Sequence, residues 1–201
     1  MFQIRIHGRG GQGVVTAAEI LSVAAFLDGR FAQAFPSFGS ERMGAPVMSF
    51  CRIDDRKIRL REPVMQADAV IVQDATLLHH VDLFSGLNPE TGRLILNASR
   101  DAAALGIEDF VSSFPAGHFC GLPATGIALK HIGRPLPNIA LVGAFAAISG
   151  QITLKSVEEA VQQRFTGTIA QKNSAAAKEA YLYVRQHQQE TGGGMTHAAA
   201  N

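Results

Sequence analysis

Apolar and polar residues alternate from Phe2 to His7, six glycine-rich positions interrupt at 8–13, and Val14, Ala18, Leu21 and Ala25 then recur at helical spacing. This order predicts a strand, a glycine loop and a helix. The helix should stop at Asp28-Gly29, because glycine accepts the left-handed cap conformation, and Phe31 to Phe35 reads as a second strand before Pro36. A first βαβ unit would thereby close. Ser37 to Pro46 is rich in turn formers and feeds a predicted hairpin, with strands at Val47–Ile53 and Lys57–Leu60 around an Asp54-Asp55 turn. Ala69–Gln73 and Arg93–Asn97 are short apolar runs of the kind found in a sheet covered on both faces, with Thr76–Phe84 helical between them. A weaker strand is expected at Val111–Phe114 and another at His118–Leu122, followed by a helix over Thr125–Ile132 that ends at Gly133. Asn138–Ile148 is apolar nearly all round and must be buried on more than one side, either as a central core helix or with a partner subunit supplying one side. Ser156-Val-Glu-Glu159 fits a capping box ahead of the stripe Val157, Val161 and Phe165, and Ile169–His187 predicts a last helix. Residues 188–201 lack periodicity and are expected to form a disordered tail.

Strands alternating with helices, plus one inserted pair, give an α/β fold: a doubly wound three-layer sandwich with a largely parallel sheet and an inserted β-hairpin. About 200 residues, 47% of them apolar, suit one core, so residues 1–187 are expected to form a single domain. A net charge of +1 supplies no global field for nucleic acid. The opening residues carry no basic-then-apolar leader and no run is long enough to span a bilayer, so a soluble cytoplasmic protein without membrane insertion is expected. Cys51 and Cys120 are far apart and outside any CxxC spacing, which writes neither a disulfide framework nor a zinc or iron–sulfur site.

Candidate chemistry centres on Gly8, Gly10 and Gly13, which satisfy G-x-G-x-x-G between a predicted strand and a predicted helix. Glycines let the backbone turn sharply and approach a ligand, while the amides at a helix start attract phosphate. Arg9 and Gln12 could add side-chain donors beside Gly11. The competing reading is that the glycines only permit close strand–helix packing. NAD is disfavoured, because an acidic residue is wanted at the end of the second strand and this strand ends Phe35-Pro36-Ser37. Gln73, Asp74 and Asn97 follow strand ends, where open α/β sheets place ligands, although Asp74 would equally cap a helix. Among the histidines, His79, His80, His118, His131 and His187 have no fixed partner for general-base work.

Gly8-Arg-Gly-Gly-Gln-Gly-Val-Val-Thr-Ala-Ala18, Gln33-Ala-Phe-Pro-Ser-Phe-Gly-Ser-Glu-Arg-Met-Gly-Ala-Pro46, Cys51-Arg-Ile-Asp54 and Asn138-Ile-Ala-Leu-Val-Gly143 together resemble the gamma subunit of the pyruvate:ferredoxin and 2-oxoacid:acceptor oxidoreductase family. The resemblance spans about residues 1–185. Met43 stands where the family places another arginine or a glycine, with Glu41, Arg42 and Gly44 retained. The resemblance implies a subunit without catalytic residues or a cofactor of its own. The complex around it would carry thiamine diphosphate, magnesium and 4Fe-4S clusters, and would convert a 2-oxoacid to an acyl-coenzyme A. Its partners would be alpha, beta and delta-type subunits, with a flavin-bearing subunit possible, and its electron acceptor ferredoxin or NAD. Gly8, Arg9, Gly10, Gly11, Gln12 and Gly13 would then help seat coenzyme A, and Glu41, Arg42 and Gly44 would form a subunit-contact or coenzyme A-facing loop. Pyruvate, 2-oxoglutarate, branched-chain and aryl 2-oxoacids such as phenylglyoxylate all stay open as substrates. So do two other roles, a structural scaffold that touches no cofactor and a stand-alone nucleotide-binding domain.

Overall fold

A computed structural model describes residues 1–37 and 42–193, with side chains through residue 188. The chain opens with β1 (Phe2–Arg9), the glycine loop and α1 (Val14–Leu27), whose end is marked by Gly29 at φ 78°. It continues through β2 (Phe31–Pro36), β3 (Pro46–Asp54), β4 (Ala69–Val72), a 3-10 turn (Ala75–His79), β5 (Arg93–Asn97) and α2 (Glu108–Ser112). The last third holds β6 (Phe119–Leu122), α3 (Ala124–Ile132), α4 (Asn138–Ser149), α5 (Leu154–Arg164) and α6 (Gly167–Gly193). The strands form one sheet in the order β2-β3-β1-β4-β5-β6, and β3 alone runs against its neighbours.

Strand alternation sends side chains to two cores. Ile4, Ile6, Cys51, Ile71 and Ile95 meet α1, α3, α4, α5 and α6 on one face. Phe50, Val70, Val72, Leu94 and Leu96 meet α2, the 3-10 turn and the connecting loops on the other. The fold is thus the expected mixed α/β sandwich with helices on both sides, although the long helices all lie on one of them. Every residue of α4 is buried by this chain itself, which makes it the central core helix and leaves no side for a partner to cover. Among the described residues no helix is long and apolar enough to cross a membrane.

The first βαβ unit does not close on adjacent strands, because β3 inserts between β1 and β2. The antiparallel pair is therefore β2 with β3, in register from Phe31↔Asp54 to Pro36↔Ser49, and residues 57–60 form no strand. The physical reason is that β3, with Phe50, Cys51 and Ile53 fully buried, is the more apolar strand and takes the inner place, with both its edges filled. Thr76–Phe84 is helical only in its first residues, since Asp82 opens a separate turn by accepting from the amides of Phe84 and Ser85. The stretch expected as a strand at Val111–Phe114 belongs to helix α2 and its end, where the i,i+4 pair Phe110 and Phe114 packs edge to face at 5.2 Å and Phe110 stacks on Phe84 at 4.3 Å. Helix α5 begins earlier than the predicted capping box: Thr153 is its cap and accepts from the Ser156 amide at 3.1 Å. Helix α6 runs past His187 to Gly193.

Candidate functional site

The glycine loop closes the carboxyl end of β1 and starts α1. Gly13 occupies the left-handed region at φ 74°, and its carbonyl receives the first bond of the helix from the Ala17 amide at 3.0 Å. The amides of Val14, Val15 and Thr16 therefore stand at the helix head without an intrahelical acceptor, and no acidic residue occupies the first turn. Asn138, buried at the start of α4, donates to the Gly13 carbonyl at 3.2 Å and fixes the turn from behind.

The two motif segments form one rim. The Gly10 amide donates to the Ala45 carbonyl at 2.9 Å and the Gly44 amide to the Gly10 carbonyl at 3.1 Å, with a bridge between Gly10 and Met43. A Cβ at Gly10 would collide with the Arg42 carbonyl, so this glycine is demanded by the chain's own backbone. The loop of Gly8, Gly10, Gly11 and Gly13 is thus brought against Arg42 and Gly44, through Gly10 and Gly11. Glu41 lies outside the described residues.

Arg9 and Gln12, expected as donors to an anion, are both turned to Asp74. Arg9 pairs with its carboxylate at 3.2 Å and also donates to Thr76 Oγ1 at 2.8 Å and to the Gly44 carbonyl at 3.1 Å. Gln12 accepts from the Arg9 amide at 2.8 Å and donates to Asp74 Oδ2 at 2.9 Å. Partial burial raises the Asp74 carboxyl, but hydrogen bonds from Thr76 and Gln12 and the Arg9 charge outweigh it and hold the group below its ordinary range. Asp74 also caps the 3-10 turn through the Thr76 amide. Asn97 serves structure, bridging the Gln73 carbonyl and Thr125 at the head of α3. Gln73 itself is fully buried against Gly8, and its carboxamide has no hydrogen-bond partner among the described residues.

A further polar residue lies beside the rim, in a cavity that Val15 and Pro46 also line. His7 lines a cavity of about 590 Å³ with Arg5, Met48, Phe50, Val64 and Met65. Burial, reinforced by the neighbouring Arg5 charge, pushes its pKa down to about 4, so the ring is neutral at neutral pH. The alternation of Gln3, Arg5 and His7 along β1 was the available signal: it places all three on one face. Arg5 is held by the carbonyls of Met65, Leu83 and Ser85.

The remaining predicted candidates do not converge on the rim. His118 contacts the Gly92 carbonyl at 3.0 Å, and His131 shares Glu179 with Lys130 at the surface. Both cysteines are buried, and burial pushes each thiol up to about 12. Two such cysteines do not fit the ligand set of an iron–sulfur cluster, and the described residues contain no group of three or more His, Cys, Asp or Glu that could hold a metal ion.

Fold and rim together define an α/β domain with a glycine turn at the head of its first helix and no acidic residue at the end of its second strand. The family model for pyruvate ferredoxin/flavodoxin oxidoreductase matches residues 3–183. The pyruvate synthase subunit PorC of Methanocaldococcus jannaschii is 49% identical over 181 residues, covering 90% of this chain and 96% of the relative. The pyruvate/ketoisovalerate oxidoreductases common subunit gamma of Thermococcus kodakarensis is 45% identical over the same length, again covering 96% of the relative. In three dimensions the chain is similar to the crystal structure of the pyruvate oxidoreductase subunit PORC of Thermotoga maritima, with a TM-score of 0.74, 34% identity and coverage of 90% of this chain and 95% of that one. The chain belongs to the pyruvate ferredoxin/flavodoxin oxidoreductase family, as a subunit of its gamma type.

Proposed function

We propose that this chain is the gamma-type subunit of an enzyme that oxidatively decarboxylates pyruvate to an acyl-coenzyme A and passes the electrons to ferredoxin. Thiamine diphosphate with its magnesium, and the 4Fe-4S clusters, are assigned to alpha, beta and delta-type partners, because this chain's two buried thiols cannot ligate a cluster. The rim of Gly8–Gly13 with Arg42 and Gly44 is assigned to the phosphates of coenzyme A, which supplies the thiol that takes the acyl group. The amides at the head of α1 would hold an anion there and the Arg42 guanidinium would add a charge, while Arg9 and Gln12 keep the loop in shape through Asp74.

The observation that carries this reading is the match over 181 residues to a pyruvate synthase subunit and to a common gamma subunit of pyruvate/ketoisovalerate oxidoreductases. It is tested by isolating the native complex and following pyruvate-dependent reduction of ferredoxin with and without coenzyme A. In the assembled enzyme Arg42→Ala is expected to raise the KM for coenzyme A about tenfold, the loss of roughly 1.4 kcal/mol of charge-assisted contact, with little change in kcat. A second reading, a scaffold that touches no cofactor, is favoured by the fit of Gly10 against the Arg42 carbonyl. An unchanged KM for coenzyme A in the assembled variant decides for the scaffold.

A further inference from the structure

Residues 57–61, Lys-Ile-Arg-Leu-Arg, alternate basic and apolar side chains, the pattern of a strand with one wet and one dry side. Yet they join no sheet. No amide or carbonyl of these five residues has a hydrogen-bond partner among the described residues. The segment is nevertheless tethered at both ends. It leaves β3 at Asp54, which is paired with Phe31, and it returns to the sheet face where Arg52 donates to the Glu62 carbonyl at 2.6 Å and Arg5 donates to the Met65 carbonyl at 3.3 Å. A stretch with strand chemistry, unused backbone groups and fixed ends has lost part of its conformational freedom before any partner arrives.

Charge narrows the partner. Arg56, Lys57, Arg59 and Arg61 are exposed, and none has an ion-pair partner among the described residues. The nearby carboxylates are spent elsewhere, Asp54 on the N-terminal amine and Asp55 on Arg30, while the charge of Glu62 acts on Arg52. Apolar surface accompanies the charge: Leu60 is 45% exposed and Met65 is 73% exposed. Four like charges oppose pairing with a second copy of the same segment, which is how free edges are kept from self-association, but they favour a strand that carries acidic residues.

We propose that residues 57–61 are a docking arm that pairs, backbone to backbone, with an acidic β-strand of a partner subunit of the same enzyme. Backbone hydrogen bonds would supply the affinity. Alternate Asp or Glu on the partner facing Lys57, Arg59 and Arg61 would fix the register. The inference rests on the chain working inside a multi-subunit enzyme and adds where one contact is made and with what chemistry.

The test is hydrogen–deuterium exchange on the purified native complex and on this chain alone. In the isolated chain the amides of 57–61 should exchange at near-unprotected rates, and in the complex they should slow by about a hundredfold or more. Amides that exchange equally fast in both states overturn the proposal, and protection in a homodimer of the isolated chain overturns it in favour of a second copy. Arg59→Glu with Arg61→Glu leaves the isolated fold unchanged by thermal melting and should weaken assembly about a hundredfold. Raising the salt should weaken assembly of the wild type more than that of the variant. Wild-type affinity in the charge-reversed variant sinks the idea. A chain that co-purifies with no partner would refute the subunit reading, whereas a complex with unprotected arm amides refutes only the arm.

Discussion

His7 shows how a side chain's burial becomes a property of the whole chain. Its pKa falls from the ordinary imidazole value of 6.5 to about 4 through desolvation first and the Arg5 charge second, so the folded state resists a proton that the unfolded state accepts. Between pH 6.5 and pH 4 the unfolded chain binds more protons, and stability should fall as the pH falls through that window, by on the order of 3 kcal/mol. Thermal melts of the wild type and of His7→Gln at pH 7 and pH 4.5 check this: the variant should lose distinctly less melting temperature on acidification. Asp74 also weakens the fold when protonated, but its pKa is held below the carboxylate range, so that loss comes at lower pH and does not mask the effect. The glycine rim was legible because Gly8, Gly10 and Gly13 are spaced along one stretch of chain. The turning of Arg9 and Gln12 toward Asp74 was not, because it depends on β4 lying beside β1, a neighbour 62 residues away from Gln12. The buried thiols make a second check. Cys51 and Cys120, both pushed up to about 12, should resist iodoacetamide in the native protein and react once it is unfolded.

A helix carries its signal within its own residues, whereas the pattern of a strand does not name its partners. Asn138–Ser149 announces itself by apolar residues all round, and α3 by the glycine that ends it at φ 75°. The apolar-rich run Val47–Ile53 identifies a strand but not its neighbours, and the alternating residues 57–60 do not form one, because pairing needs a free edge within reach. The start of α5 shows the same limit. Thr153 and Ser156 are both good caps by residue type, and the choice falls to Thr153 because Asp28, at the end of α1, accepts from the Thr153 amide at 2.7 Å and from its hydroxyl at 2.9 Å. Asp28→Ala removes both bonds and the one from Ser156, which joins the end of α1 to the head of α5. It should cost about 2 kcal/mol, against about 1 kcal/mol for Thr153→Ala, measured by urea unfolding.

The doubly wound architecture was readable from the alternation of elements, and the structure adds that both cores are closed by this chain's own residues. On one face Phe145 of α4 is fully buried and packs edge to face on Phe2 at 6.2 Å, with Ala176, Ala177 and Ala180 of α6 in the same core. On the other, Phe50, Leu77 and Leu83 are buried beneath loops that the chain supplies itself. One sheet contributes alternate residues to both, so neither core can be lost while the other stays packed, and unfolding should be a single cooperative event. Calorimetry of the isolated chain should therefore show one transition, and Phe145→Ala should lower its stability by about 3–5 kcal/mol. If the redox groups lie on partner subunits as proposed, the same isolated chain should reduce no acceptor when given pyruvate and coenzyme A, and activity should appear only when the partner subunits are added back. A chain that folds in one step yet turns over pyruvate unaided would overturn the assignment of the redox groups to partner subunits.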